Sequence, residues 1–161
     1  MGLDIQTYSP DRAKDIADLF HQSVHAIDSA LYTTEQKEAW APSPVNYRVW
    51  AERLSESQPF LALIDHSVAG FIELDPKGYI DCLYTHPDFQ GRGVASNLFS
   101  FALGHAKKRN IERLFTDASF PAKPFFERRG FSVIRQNTVQ RNGVSLINFS
   151  MELFLNADME R

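Results

Sequence analysis

The stretch Tyr84–Leu103, "YTHPDFQGRGVASNLFSFAL", runs from the end of an expected strand through a Pro-Asp turn into an amphipathic helix. This helix opens with Gly91 and Gly93 on either side of Arg92, and no evident side-chain cap stands at its start. A helix N-terminus ordinarily has Ser, Thr, Asp or Asn to satisfy its free N–H groups, and acidic residues to match the positive end of its dipole. An anion from outside the chain would explain both departures. We therefore predict an anion-binding site at this helix start.

The net charge of the chain is negative, so an anion-binding site must depend on the residues immediately around it. The 161 residues have a net charge of −3 and a pI near 5.9, so no overall basic field attracts nucleic acid or an anionic membrane. The length suits one domain, and no repeat, low-complexity tract or linker divides it, so we expect a single domain over residues 1–161.

The cysteine content and the apolar runs indicate the compartment. A single cysteine, Cys82, excludes an internal disulfide. The N-terminus lacks the apolar core of a signal peptide, and no apolar run approaches the roughly 18 residues of a membrane span. We expect a soluble cytoplasmic protein.

Periodicity and turn residues predict the element order β-ααα-βββ-α-β-α-ββ. The Asp-His-Ser and Asp-Pro-Lys-Gly turns are short enough to require antiparallel hairpins. The fold class is therefore α/β, with a mixed sheet and helices on its faces. Strands are expected over residues 3–8, 60–65, 68–74, 79–86, 112–117, 131–140 and 144–153, and helices after Ser9-Pro10 and over residues 33–40, 45–56, 91–109 and 123–129.

Three interpretations of the glycine loop compete. A Walker A loop needs a lysine after its last glycine, and none follows Gly93. A dinucleotide fingerprint would need Gly or Ala where Ser96 stands, although Asp117 could supply its acidic residue. That fold also has parallel strands alternating with helices, whereas this loop follows an expected antiparallel meander. An ordinary glycine-rich helix entry without a ligand remains open on these residues alone.

Two further blocks favour a ligand. The run Gln90–Ala95, "QGRGVA", with its lead-in "LYTHPDFQGRG", resembles the Q/R-x-x-G-x-G/A pyrophosphate loop of the GNAT superfamily of acyl-CoA-dependent N-acetyltransferases. "AKPFFERRGFSVI", Ala122–Ile134, resembles that family's aromatic helix and G-F strand start. Ser23–Pro42, "SVHAIDSALYTTEQKEAWAP", is similar to the substrate-side segment of a bacterial subgroup of the YafP and Acetyltransf_10 type.

The resemblance implies a GNAT-like, mostly antiparallel sheet flanked by helices on both faces, and acetyl-CoA as co-substrate. Backbone N–H groups of the loop would hold the coenzyme A diphosphate, with Gly91 and Gly93 as the points of close approach. Gln90 would orient the loop, and Arg92 would either add a charge or lie in solvent. Further N–H groups would come from Val94, Ala95 and Ser96.

The strand before the loop would hold the rest of the coenzyme. In the family, the segment matching Leu83, Tyr84 and Thr85 bonds the pantetheine arm like an added strand and polarises the thioester carbonyl. Plain sheet pairing is the alternative for these three residues. Phe126 would pack beside the thioester.

The reaction that the resemblance implies is transfer of acetyl to a primary amine by direct attack, without an enzyme nucleophile. Cys82 is accordingly expected to be a small buried side chain. Many members have a tyrosine as proton donor where this chain has Phe126, which has no proton to give. The thiolate would then leave with a proton from water or another side chain, or without an acid. A non-catalytic acetyl-CoA-binding module of the same fold is therefore the alternative function.

The general base has three candidates. Asp81 is the first, because period-two geometry places residues 79, 81, 83 and 85 on one face of the strand near its functional end. A structural hydrogen-bond acceptor is the equal alternative for Asp81. Glu73 on the preceding strand is second, and His25 is the third candidate.

The helical N-terminal third is expected to form the acceptor site. His25, Tyr32 and Trp40 are candidate lining residues, although both aromatic rings could equally belong to the core. His21 and His25 are four residues apart, which is metal-ligand spacing, but the sequence shows no third ligand. We expect no metal cofactor.

The partner is expected to be a small-molecule amine. Arg48 and Arg53 are expected on a solvated helix face, so they argue only weakly for an acidic substrate. The composition predicts neither nucleic-acid nor membrane partners. A homodimer is left open.

Overall fold

The computed structural model describes residues 2–155, which form a seven-stranded sheet with the strand order β1-β2-β3-β4-β5-β7-β6. Every neighbouring pair in it is antiparallel except β4 and β5, which are parallel. The expected mixed, mostly antiparallel sheet is confirmed. The strands are β1 (Leu3–Thr7), β2 (Phe60–Ile64), β3 (Ser67–Leu74), β4 (Tyr79–Thr85), β5 (Arg113–Ala118), β6 (Ser132–Arg141) and β7 (Val144–Phe154).

The helices follow the predicted order, with two local differences at their starts. Ser9 does not cap the first helix with its side chain: its Oγ bonds to Asp11, and a 3-10 turn, Pro10–Arg12, precedes the helix. The glycine helix begins at Val94, three residues later than predicted, because Gly91 and Gly93 have positive φ. The helices are α1 (Ala13–His25), α2 (Thr34–Trp40), α3 (Tyr47–Ser57), α4 (Val94–Lys108) and α5 (Ala122–Glu127).

The two faces of the sheet bury separate cores. Alternate residues of β2 point to opposite faces, so Ala62 and Ile64 pack with α4 while Leu61 and Leu63 pack with α1 and α3. The sheet is therefore flanked by helices on both faces, as expected.

The parallel pair at the centre of the sheet separates after two residues. β4 and β5 are paired at Tyr79 with Phe115 and at Ile80 with Thr116, although β4 continues to Thr85 and β5 to Ala118. A cleft therefore opens between the carboxyl ends of the two strands, where neither strand satisfies the other's backbone groups.

A bulge in β4 lies at the start of this cleft. In the ladder with β3, Glu73 is opposite Cys82 and Leu74 is opposite Ile80, so Asp81 is the extra residue. The alternation of faces shifts there: Ile80 packs with α4, whereas Cys82 packs with the α1 side. The prediction that residues 79, 81, 83 and 85 share one face is therefore wrong beyond Asp81, because simple period-two geometry assumes no bulge.

Candidate active site

A cavity of about 410 Å³ lies between the α1–α3 layer and the strands β4 to β7. Six aromatic rings line it beside other apolar and polar side chains, and four charged side chains, two acidic and two basic, reach it. The rings belong to Phe20, Tyr32, Trp40, Trp50, Tyr79 and Tyr84, and the charged residues are Arg53, Asp81, Asp117 and Arg141. We call this space the aromatic cavity.

A second, smaller space of about 60 Å³ is the cleft between the separated strands. Ile80 and Leu83 line it from β4, Thr116 and Ala118 from β5, and Phe126 from α5. Both spaces share the residues Trp40, Asp81, Tyr84, Asp117 and Ser119, so the cleft meets the aromatic cavity there. A group held in the cleft would meet a molecule in the aromatic cavity at this junction.

The loop before α4 is exposed, and the first turn of the helix has no acidic residue. Gly91 and Gly93 have φ of 77° and 76°, and no other group lies within 4 Å of the position that a Cβ at Gly91 would take. Gly93 occupies the N-cap of α4 without a side-chain cap, and the first turn contains no acidic residue. These features fit a phosphate group, which a helix N-terminus favours through its N–H groups and its dipole.

The side chains around this loop partly match their expected positions. Gln90 Nε2 donates to the Thr85 carbonyl at 3.2 Å and so ties the loop to the end of β4. Arg92 is exposed, with its guanidinium 5.4 Å from the centre of the Phe89 ring. Arg129, which was not predicted from the sequence, donates to the Ser96 hydroxyl and thereby brings a second cation to the first turn of α4.

Asp81 lies at the junction, with 56% of its side chain exposed. One carboxylate oxygen accepts a hydrogen bond from Arg53 Nη2 at 3.1 Å. Partial burial raises the pKa of Asp81 above its usual value, the cation of Arg53 opposes this, and the charge of Glu73 adds to the rise. The carboxylate is thus reachable and more basic than a solvated aspartate, which suits a proton acceptor.

Glu73, the second candidate base, is placed differently. Its side chain is 3% exposed and does not line either space. Its oxygens accept from Arg53 Nε at 3.2 Å, from Arg53 Nη2 and from the Ser57 hydroxyl at 2.6 Å. This carboxylate is enclosed by its partners, so the geometry favours a structural role for it.

The expectation that Arg53 lies on a solvated face is wrong. Arg53 is partly buried and bonds to Glu73, Asp81 and the Cys82 sulfur, with its guanidinium 4.8 Å from the centre of the Trp50 ring. A sequence pattern could not show this, because every polar partner comes from a distant strand. Arg48 does lie in solvent.

Cys82 is buried, and its Sγ lies 3.0 Å from Arg53 Nη2. Burial raises the pKa of this thiol well above its usual value, and the nearby charge of Glu73 adds to the effect. A thiol that stays protonated is a poor nucleophile, which agrees with the expected structural role.

The placement of His25 needs correcting. It is not among the residues that line the aromatic cavity, whereas His21, one turn earlier, is. The Nε2 of His25 faces the Ala41 carbonyl at 2.8 Å. Tyr32 and Trp40 both line the cavity and also belong to a small core cluster. The Tyr32 hydroxyl donates to the Ile147 carbonyl and accepts from the Phe120 N–H, each at 3.0 Å.

A polar pair between β4 and β5 was not predicted from the sequence. The Tyr79 hydroxyl donates to Asp117 at 3.0 Å, and the Ser150 hydroxyl donates to the other carboxylate oxygen at 2.9 Å. Burial and the charge of Asp117 raise the pKa of Tyr79. Asp117 was considered only as the acidic residue of a dinucleotide site. Its expected position near the end of a strand beside β4 was the feature of the sequence that could have indicated this role.

Comparison with known proteins settles the family. The sequence profile of the acetyltransferase (GNAT) domain, Acetyltransf_10, matches residues 28–153. This chain belongs to the GNAT acetyltransferases. It is 34% identical over 150 residues to the uncharacterised N-acetyltransferase YafP of Escherichia coli K12, covering 93% of this chain and 95% of YafP. The expected family, its YafP-like subgroup and the enzyme class are confirmed.

Solved structures agree with this assignment. A GCN5-related N-acetyltransferase from Rhodopseudomonas palustris superposes with a TM-score of 0.90 at 34% identity, over 96% of this chain and 97% of that one. The PaiA N-acetyltransferase of Thermoplasma acidophilum, solved with coenzyme A, shares the fold with a TM-score of 0.75 at 19% identity, over 96% of this chain and 100% of that one. Within residues 2–155, no helix is long and apolar enough to cross a membrane.

Proposed function

We propose that this GNAT protein transfers the acetyl group of acetyl-CoA to the primary amine of a small molecule by direct attack, within a single domain over residues 1–161. The observation that carries the proposal is the junction, where a narrow cleft between two parallel strands opens into an aromatic cavity beside the Asp81 carboxylate. One space suits a thioester arm, and the other suits an acceptor.

The donor side of the proposal rests on the glycine loop and the cleft. The coenzyme A diphosphate would lie on the N–H groups of Gly91 to Ser96, which have the open approach and the helix end that phosphate requires. The pantetheine arm would run through the cleft along Leu83, Tyr84 and Thr85, with the thioester beside Phe126. Structures with the same fold support this co-substrate: that of PaiA contains coenzyme A, and that of YncA from Salmonella typhimurium contains acetyl-CoA.

The acceptor side rests on the aromatic cavity. Its volume of about 410 Å³ falls in the range of small-molecule pockets. Aromatic faces attract an ammonium group, and Asp81 and Asp117 add negative charge at the junction. An ammonium substrate would therefore be drawn to the place where the thioester ends.

The chemistry must remove two protons from the ammonium nitrogen. Asp81 accepts the first before attack, and the second leaves the nitrogen after the C–N bond has formed and passes to solvent. The neutral nitrogen attacks the thioester carbon, and the new C–N bond replaces the C–S bond. The thiolate leaves as coenzyme A and can take its proton from solvent, because a thiol has a pKa near about 8.5. Backbone N–H groups of β4 at the cleft would stabilise the oxyanion.

The alternative, an acetyl-CoA-binding module without turnover, is favoured by one observation: Phe126 occupies the position of the family's tyrosine donor and is 3% exposed. A panel of primary amines with acetyl-CoA and detection of free thiol separates the two. Amine-dependent thiol release with an acetylated product supports the enzyme. Tight acetyl-CoA binding without thiol release for any amine supports the module.

A further inference from the structure

Two histidines of α1 acquire a third potential metal ligand in the fold. His21 and His25 are one turn apart, and α2 brings Glu38 beside them from the neighbouring helix. One ligand atom from each of the three residues lies within 4.8 Å of the other two. The sequence could not show this triad, because Glu38 is thirteen residues beyond His25 and approaches it only through the packing of α1 on α2.

The polar atoms of the triad converge on one point beside the loop after α2. His25 Nε2 lies 3.6 Å from a Glu38 carboxylate oxygen, and His21 Nε2 lies 2.9 Å from the Ser43 hydroxyl. The Ser43 hydroxyl and backbone N–H both donate to Glu38, at 2.9 and 3.0 Å, which holds the carboxylate in place. The His25 ring nitrogen also faces the Ala41 carbonyl. The point is thus surrounded by nitrogen and oxygen atoms.

The geometry is close to that of a tetrahedral metal site. In such a site, with bonds of about 2.1 Å, the ligand atoms are roughly 3.4 Å apart. The separation of 3.6 Å between His25 and Glu38 already matches this, and the outer limit of 4.8 Å means that the other ligand atoms must approach by at most about 1.4 Å. Glu38 is half-exposed, so its carboxylate lies at the surface, where a zinc ion can reach it.

The chemistry of the donors selects the cation. Two imidazoles and one carboxylate are a ligand set of zinc enzymes, and calcium or magnesium would require mostly oxygen ligands. Zinc would replace the two present hydrogen bonds of the ring nitrogens with metal bonds.

We propose that His21, His25 and Glu38 form a zinc-binding site with water as the fourth ligand. Bound zinc fastens the end of α1 to the end of α2, and through His21 it fixes one part of the wall of the aromatic cavity. The proposal does not depend on acetyl transfer, because it concerns binding that can be measured without either substrate.

The test uses the tag-free full chain in the absence of acetyl-CoA and amine. Zn²⁺ is titrated in competition with a chromophoric chelator, and Co²⁺ is added separately to record the visible absorption of a tetrahedral site. The wild type should bind one equivalent of each ion. His25→Asn and Glu38→Gln should each weaken zinc binding by more than the roughly ten- to hundredfold that the loss of an outer-shell partner costs.

Two matched variants serve as controls. Glu35→Gln makes the same charge change on the exposed side of α2, and His66→Asn removes a histidine from an exposed turn with positive φ that asparagine tolerates. Both should bind zinc as the wild type does, and circular dichroism should show that all four variants are folded. Absence of stoichiometric binding to the wild type, or equal affinity in Glu38→Gln and Glu35→Gln, would overturn the proposal.

Discussion

At the scale of single residues, the pKa of Asp81 is set by opposing influences from its surroundings. Arg53 bonds to it and favours its ionised form, whereas partial burial and the charge of Glu73 favour the neutral form. The sum raises its pKa above the usual value for aspartate. This balance places a moderately basic carboxylate at the junction of the two spaces, which is where the proposed amine must lose its proton.

Replacing Asp81 by Asn tests this role. A base works only when it is ionised, so the wild-type rate should fall as the pH drops through the raised pKa of Asp81. Asp81→Asn should lower kcat/KM by about two to four decades and flatten that acidic limb. Asp65→Asn, the same change in an exposed turn, is the control. If Asp81→Asn instead loses stability while its folded fraction keeps the wild-type pH profile, Asp81 is a structural acceptor.

Phe126 tests whether a side-chain acid is needed. It packs against Phe99, Phe125 and Phe131 while lining the cleft. If the thiolate leaves unaided, Phe126→Tyr should change kcat by less than about tenfold, at the low end of acid-catalysis effects. Phe125→Tyr, next to it but outside both linings, controls for the added hydroxyl. A hundredfold increase in kcat would show that the lack of a side-chain acid limits the wild-type rate.

At the scale of elements, an ion pair that is buried at its glutamate end joins α3 to the sheet. Arg53 reaches from α3 to Glu73 on β3, whose side chain is 3% exposed. Breaking such a pair leaves a buried charge without a partner, which costs more than the pair itself contributes.

Arg53→Met should therefore lower the free energy of unfolding by about 3 to 5 kcal/mol in urea denaturation. Arg48→Met, on the exposed face of the same helix, should change it little. Adding Glu73→Gln to Arg53→Met removes the stranded charge and should recover part of the loss. No recovery in the double variant would show that packing of the arginine stem, not charge, dominates.

At the start of α4, two substitutions of similar size distinguish the effect of a negative charge on acetyl-CoA binding from the effect of an added side chain. Gly93 has φ of 76°, and both Asp and Asn tolerate this left-handed conformation better than other side chains do. Gly93→Asp would place a carboxylate beside the proposed diphosphate and should abolish acetyl-CoA binding in calorimetry, whereas Gly93→Asn should weaken it much less. Unchanged affinity in a folded Gly93→Asp variant would contradict the loop assignment.

The elements also show what the sequence could and could not predict. The glycine loop and the order of strands and helices depend on local patterns, so they were predictable to within a few residues. The bulge at Asp81 was not, because it arises from pairing with β3 and leaves no local signal. Arg53 and Glu38 were missed for a similar reason: their partners lie on other elements, and the sequence of one helix does not show which other elements it contacts.

At the scale of the whole molecule, the proposed ligand would touch every layer. The aromatic cavity belongs to the α1–α3 side of the sheet, and the diphosphate loop leads into α4, on the opposite side. The cleft between β4 and β5 connects them through the centre of the sheet. Binding at this cleft should therefore stabilise both cores together, not one layer alone.

This makes cooperative unfolding the last prediction. If the chain is one domain, calorimetry should show a single unfolding transition. Acetyl-CoA should raise the melting temperature of this whole transition. A ligand at one hundred times its Kd adds about 2.7 kcal/mol. For a domain of this size, that corresponds to a rise in Tm of about 5 to 11 °C. The Gly93→Asp variant should unfold in one transition as well, but without the shift. Two transitions, or a shift confined to one of them, would show that the two faces of the sheet unfold independently and that the single-domain proposal is wrong.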